Sequence, residues 1–124
     1  MTSYDPMSNL CPLDYRYGRE EMKSIFYEES RLQYQMNVEA ALARAHARRG
    51  TISREAAEEI ARVASLEHVS VARVREIEKE TRHDVMAMVR AITERCGGDA
   101  GKYVHLGATS NDIVDTATAL QIRD

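Results

Sequence analysis

Between Glu20 and Arg49 the apolar residues Ile25, Leu32, Met36, Ala40, Ala43 and Ala47 recur in steps of three, four or seven, and the run stops at Gly50. That is the period of an amphipathic α-helix, and a glycine just past the last turn is a natural C-terminal stop. The pattern continues down the chain. Ser53 is placed to cap a second helix, "REAAEEIARVASLE", whose first turns carry the acids that the helix dipole favours. Ser70 is placed to cap a third, "VARVREIEKETRHDVMAMVRAITERC", closed by Gly97-Gly98, with Val85, Met88, Val89 and Ile92 in one apolar stripe. A glycine-rich loop over 97–108 leads into "TSNDIVDTATALQIRD", where Ile113, Val114, Ala117 and Leu120 again fall at helical spacing. No alternating strand pattern and no internal repeat interrupt this reading, so the fold class is all-α.

Composition adds bounds. With 124 residues, 44% apolar and 30% charged, the chain has the size and balance of one globular domain. Its apolar share leans on alanine, with one Phe, no Trp and six Met, so its own core is thin and some helix faces are expected to meet a partner or a further part of the chain. A net charge of -3 with interleaved acids and bases argues against a nucleic-acid or acidic-membrane surface, which needs concentrated positive charge. Cys11 and Cys96 form neither a C-x-x-C pair nor a zinc-ligand spacing, which fits a reduced cytosolic setting. The start lacks the basic and apolar regions of a signal peptide, and no stretch reaches the roughly 18 apolar residues of a membrane span. Pro6 and Pro12 mark residues 1–18 as an irregular arm, leaving 19–124 as the helical domain.

The polar chemistry is concentrated in few places. In "KYVHLGATSND" (102–112), Thr109-Ser110-Asn111-Asp112 matches a capping box ahead of an apolar run. A cap needs only one of the adjacent hydroxyls. The turn is therefore either a cap alone, or a cap plus a carboxylate or phosphate site at a helix N-terminus. His83 and Asp84 form a second group. If the third helix runs unbroken, His83 lies nearly opposite its apolar stripe, on a face with Ala87 and Arg90, as a solvated histidine or a working acid/base group. His46, His68, His83 and His105 show no array that would hold a metal. His46 lies near the stripe of the first long helix and reads as core or interface, and His68 reads as surface. Arg16-Tyr17, just before the first helix, is a surface pair or a guanidinium and phenol able to reach a phosphate.

Together "DYRYGREEM", "ETRHDVMAMVR" and "YVHLGATSNDIVDTA" resemble the N-terminal part of the adenylosuccinate lyases, in the fumarase/aspartase superfamily, from about residue 12 to 124. The resemblance implies the first helical domain of a homotetrameric, cytoplasmic enzyme whose active sites draw on several subunits, here without the central helical bundle. It implies β-elimination of fumarate from adenylosuccinate and from the succinylocarboxamide imidazole ribotide of purine synthesis, with no metal or redox cofactor. On the same basis Arg16 and Tyr17 bind the nucleotide phosphate, His105 lies near that phosphate, and Thr109 and Ser110 hold the succinyl part. His83 and Asp84 contact substrate, with His83 assisting the acid chemistry. The family's serine loop, "SSxMPxKxNP", and its general-acid histidine have no counterpart before Asp124. The chain alone is therefore expected to be inactive. The alternatives are a sister lyase, such as one acting on argininosuccinate, and a non-catalytic helical interaction module.

Overall fold

The computed structural model describes residues 16–124, so most of the expected arm, including Pro6, Cys11 and Pro12, lies outside the described residues. The described part is helical, with no strand. Its elements are α1 (Glu20–Phe26), α2 (Glu28–Arg48), α3 (Arg54–Val63), α4 (Val71–Thr81), α5 (Asp84–Arg95), a 3₁₀ turn (Ala100–Tyr103) and α6 (Ser110–Arg123).

α2 is the central element. It buries Leu32, Met36, Ala40 and Ala43, the middle of the stripe read from the sequence, against α3 and α6. Both neighbours run antiparallel to it. Near the start of α2, the Gln33 amide donates to the Ala64 carbonyl at the end of α3 (3.2 Å), and Gln33 Oε1 accepts from the Leu66 N–H (3.0 Å). On the other side Tyr34 donates its hydroxyl proton to Asp124 at the end of α6 (2.7 Å). Gly50 ends α2 as expected: at φ +77° it lets its own N–H reach Ala47 O and the Thr51 N–H reach His46 O, a Schellman closure.

Two expected helices are each broken in two. The first breaks at Tyr27, which is extended at φ -59°, ψ 151°. α1 buries no residue, so no packing holds it in line with α2, and the Ile25 carbonyl takes the buried Gln121 amide of α6 instead (2.8 Å). The third breaks at Arg82, in the left-handed region at φ 51°, followed by extended His83. A left-handed non-glycine residue costs about 1–2 kcal/mol. What offsets it is the hairpin the break allows. Arg73 at the start of α4 grips Glu94 at the end of α5 through two bonds (2.7 and 2.9 Å), and Arg90 meets Glu80 (3.0 Å). The same break moves His83 off the helix face expected for it and makes it the N-cap of α5.

α5 buries its predicted stripe of Val85, Met88, Val89 and Ile92, with Ala87 and Ala91 in addition. The 3₁₀ turn lies against α3 and α5 so closely that a Cβ on Gly101 would stand 2.9 Å from Thr93 Cγ2 and 3.1 Å from the Thr93 carbonyl oxygen. The two serine caps form as read: Ser53 Oγ accepts from Ala56 N–H and Ser70 Oγ from Arg73 N–H, each at 3.1 Å. Ser53→Ala is expected to lower unfolding free energy by about 1 kcal/mol, read from urea denaturation.

The loop after α5 is tied down by charge. Glu59 of α3 receives the Gly97 N–H (2.9 Å) and the Arg62 guanidinium (2.6 and 2.9 Å). Arg62 first, and then the Gly97 N–H, hold its carboxyl down at about 2, against an ordinary 4.5. A depressed carboxyl adds stability above its unfolded-state value, and that stability disappears as pH falls through the folded one. Lowering pH from about 4.5 towards 2 should therefore lower the melting temperature, and Glu59→Gln should flatten that slope. An unchanged slope would remove Glu59 from the linkage.

Candidate active site at two helix N-termini

The N-termini of α5 and α6 meet. His83 caps α5 by accepting the Met86 N–H on Nδ1 (3.2 Å), which leaves Nε2 to carry the proton of the neutral ring. That Nε2 stands 3.5 Å from the hydroxyl of Ser110, the first residue of α6. Residues 27 apart in sequence thus present an imidazole N–H and a hydroxyl to one spot. Both flanking helices bring their positive dipole ends there, which favours a carboxylate or phosphate.

The capping box read from the sequence is present. Thr109 is the N-cap of α6, and Asp112 accepts the Thr109 N–H at 2.9 Å. Thr109 is thereby committed to the helix end, and Ser110 is the hydroxyl left facing His83. Asp84 uses Oδ1 to accept the Val85 N–H at 2.8 Å, and the same oxygen lies 3.7 Å from His83 Nδ1, beyond hydrogen-bond reach. His83 and Asp84 are both exposed, open to a ligand.

His105 is placed differently. Its backbone is left-handed at φ 66°, and its ring turns onto α2, where Nδ1 meets Glu39 Oε1 at 2.6 Å. At the next residue of the loop, His46 Nε2–H donates to the Leu106 carbonyl (2.7 Å), so the histidine read as core or interface pins the loop to α2. His68 is half-buried rather than fully on the surface. Arg16 and Tyr17 are exposed ahead of α1. Of the residues singled out in the sequence, the structure joins His83, Asp84, Thr109 and Ser110 in one place and anchors His105 nearby in the chain.

Glu39 is the residue that sequence reading missed. Its side chain is 0% exposed, and Oε2 is buried without a hydrogen-bond partner among the described residues. Burial pushes its carboxyl up, and the His105 bond opposes that. A signal was available: Glu39 falls three after Met36 and four before Ala43, inside the apolar stripe. Among the described residues no group of three or more His, Cys, Asp or Glu is arranged to hold a metal ion, and no helix is long and apolar enough to cross a membrane.

Comparison with known proteins gives the class of this all-α domain. The chain belongs to the lyase family, whose model matches residues 14–124. It is 57% identical over 113 residues to an adenylosuccinate lyase of Methanocaldococcus jannaschii, covering 91% of this chain and 24% of that protein. It is 40% identical over 116 residues to an N-acetyl-S-(2-succino)cysteine lyase of Enterococcus italicus, covering 94% of this chain and 25% of that one. Among solved structures, the 3-carboxy-cis,cis-muconate lactonizing enzyme of Pseudomonas putida superposes with a TM-score of 0.82 at 32% identity, over 91% of this chain and 26% of that chain. The chain thus spans about a quarter of the length of the relatives it matches.

Proposed function

We propose that this chain is the N-terminal helical part, residues 19–124 after an arm over 1–18, of an adenylosuccinate lyase. The full-length enzyme eliminates fumarate from adenylosuccinate and from the succinylocarboxamide imidazole ribotide, as a cytoplasmic homotetramer. The observation that carries this reading is the 57% identity to an enzyme of that name across nearly the whole chain, against 40% for the lyase of a succinylated cysteine.

In the elimination a C–N bond breaks and a C=C bond forms; carbon beside a carboxylate loses a proton and the departing nitrogen gains one. Ser110, with the α6 N-terminus, holds the succinyl carboxylates, and Thr109 fixes that helix end. His83 donates from Nε2 towards the reacting end, with Asp84 beside it. Extra negative charge gathers on the carboxylate next to the deprotonated carbon, where fixed donors and helix dipoles act most strongly. His105, Arg16 and Tyr17 serve the phosphate end. Ile122 on α6 is 74% exposed, and Met22 and Phe26 on α1 are 59% and 52% exposed. Such apolar positions suit packing against a central bundle.

The second reading, favoured by the Enterococcus relative, is a lyase of another succino-substituted substrate. Fumarate release by the full-length protein, measured side by side on adenylosuccinate, argininosuccinate and N-acetyl-S-(2-succino)cysteine, separates them. The purine substrate is expected to give the highest kcat/KM by at least tenfold. A higher value on either alternative would transfer the assignment.

A further inference from the structure

We propose that Glu39 is a positioning residue for ligand binding: its buried side chain holds the His105 ring by Nδ1, so that Nε2 is presented to the phosphate end of the substrate. This rests on the reading above that His105 serves the phosphate end.

A carboxylate in the middle of α2, fully covered and flanked by Met36, Ala40 and Ala43, lacks water to solvate it. Such a group persists when a cation and hydrogen bonds accompany it. Among the described residues the side-chain bond to Glu39 Oε1 comes from His105 Nδ1, and Oε2 has no hydrogen-bond partner. With Nδ1 held by Glu39 at 2.6 Å, the orientation of the ring is fixed and Nε2 is the atom left to meet a ligand.

The backbone also points to function at this position. His105 adopts φ 66° in a loop that His46 fastens through the Leu106 carbonyl. The left-handed conformation is unfavourable for a non-glycine residue, and what it gains is a ring aimed at Glu39 from a loop that reaches the α6 N-terminus five residues later. His105 keeps 12% of its side chain exposed while Glu39 keeps none, so the pair has one covered end and one end at the surface.

The test uses the full-length enzyme. Glu39→Leu keeps roughly the size but removes the acceptor that holds Nδ1. It is expected to raise KM for adenylosuccinate and Kd for AMP about tenfold, with kcat within about twofold. His105→Gln should do the same, and the double variant should be no worse than His105→Gln alone, since Glu39 acts through that ring. Glu39→Asp should recover part of the affinity. Unchanged AMP affinity in a folded Glu39→Leu variant, or additive losses in the double variant, would overturn the proposal. If His105→Gln leaves AMP binding intact while the wild-type enzyme cleaves adenylosuccinate, the phosphate role of His105 fails instead. Should Glu39 variants not fold, a structure of the wild-type enzyme with AMP decides. His105 is expected to touch a phosphate oxygen through Nε2 with Nδ1 still on Glu39, and a ring that leaves Glu39 or misses the phosphate rejects the idea.

Discussion

Replacing His83 by alanine in the full-length enzyme is expected to lower kcat for adenylosuccinate cleavage by roughly 10²–10⁴-fold, the range that a positioned proton-handling side chain supplies. The same change removes the α5 cap, at about 1 kcal/mol. The two losses are separable. Asparagine is among the best N-cap residues, and its side-chain oxygen can take the Met86 N–H that Nδ1 now accepts. His83→Asn should therefore melt near the wild type yet remain as slow as His83→Ala, because neither has an N–H at the Nε2 position facing Ser110. Near-wild-type kcat in His83→Asn would reduce His83 to a helix cap.

The second large effect is in the core. Ile92 is 0% exposed on α5, in a cluster with Met36, Ile60, Ile77 and Met88. Ile92→Ala should cost about 2–5 kcal/mol, the loss of transfer free energy plus a partly collapsed cavity. The alanines in the same cluster (Ala40, Ala43, Ala56, Ala57, Ala64, Ala87, Ala91 and Ala100) contribute little area each, so the large side chains carry most of the burial. Urea unfolding of wild type and variant gives the difference directly. A cost under 1 kcal/mol would mean that neighbouring helices close over the gap, and that this packing is looser than its burial indicates.

The stripes of α2 and α5 were legible because burial on one face imposes a period that composition cannot hide. The breaks at Tyr27 and Arg82 were not, since neither position carries glycine or proline. Both are set by tertiary partners: Gln121, which takes a freed carbonyl, and the Arg73–Glu94 and Arg90–Glu80 pairs across the α4–α5 hairpin. At the site, the capping box of Thr109 and Asp112 is local in sequence and was readable. The approach of His83 to Ser110 depends on the unforeseen break at Arg82, which turned a residue expected on a helix face into a cap. Glu39 escaped notice because an acid in a charged helix reads as solvated, and its partner lies 66 residues away.

The most direct measurement is fumarate release from adenylosuccinate by the full-length protein and by this 124-residue chain under the same conditions. Cleavage by the full-length protein, with none by the chain alone, is the result that the proposed function predicts. Turnover by the chain alone, or none by the full-length protein, would contradict it.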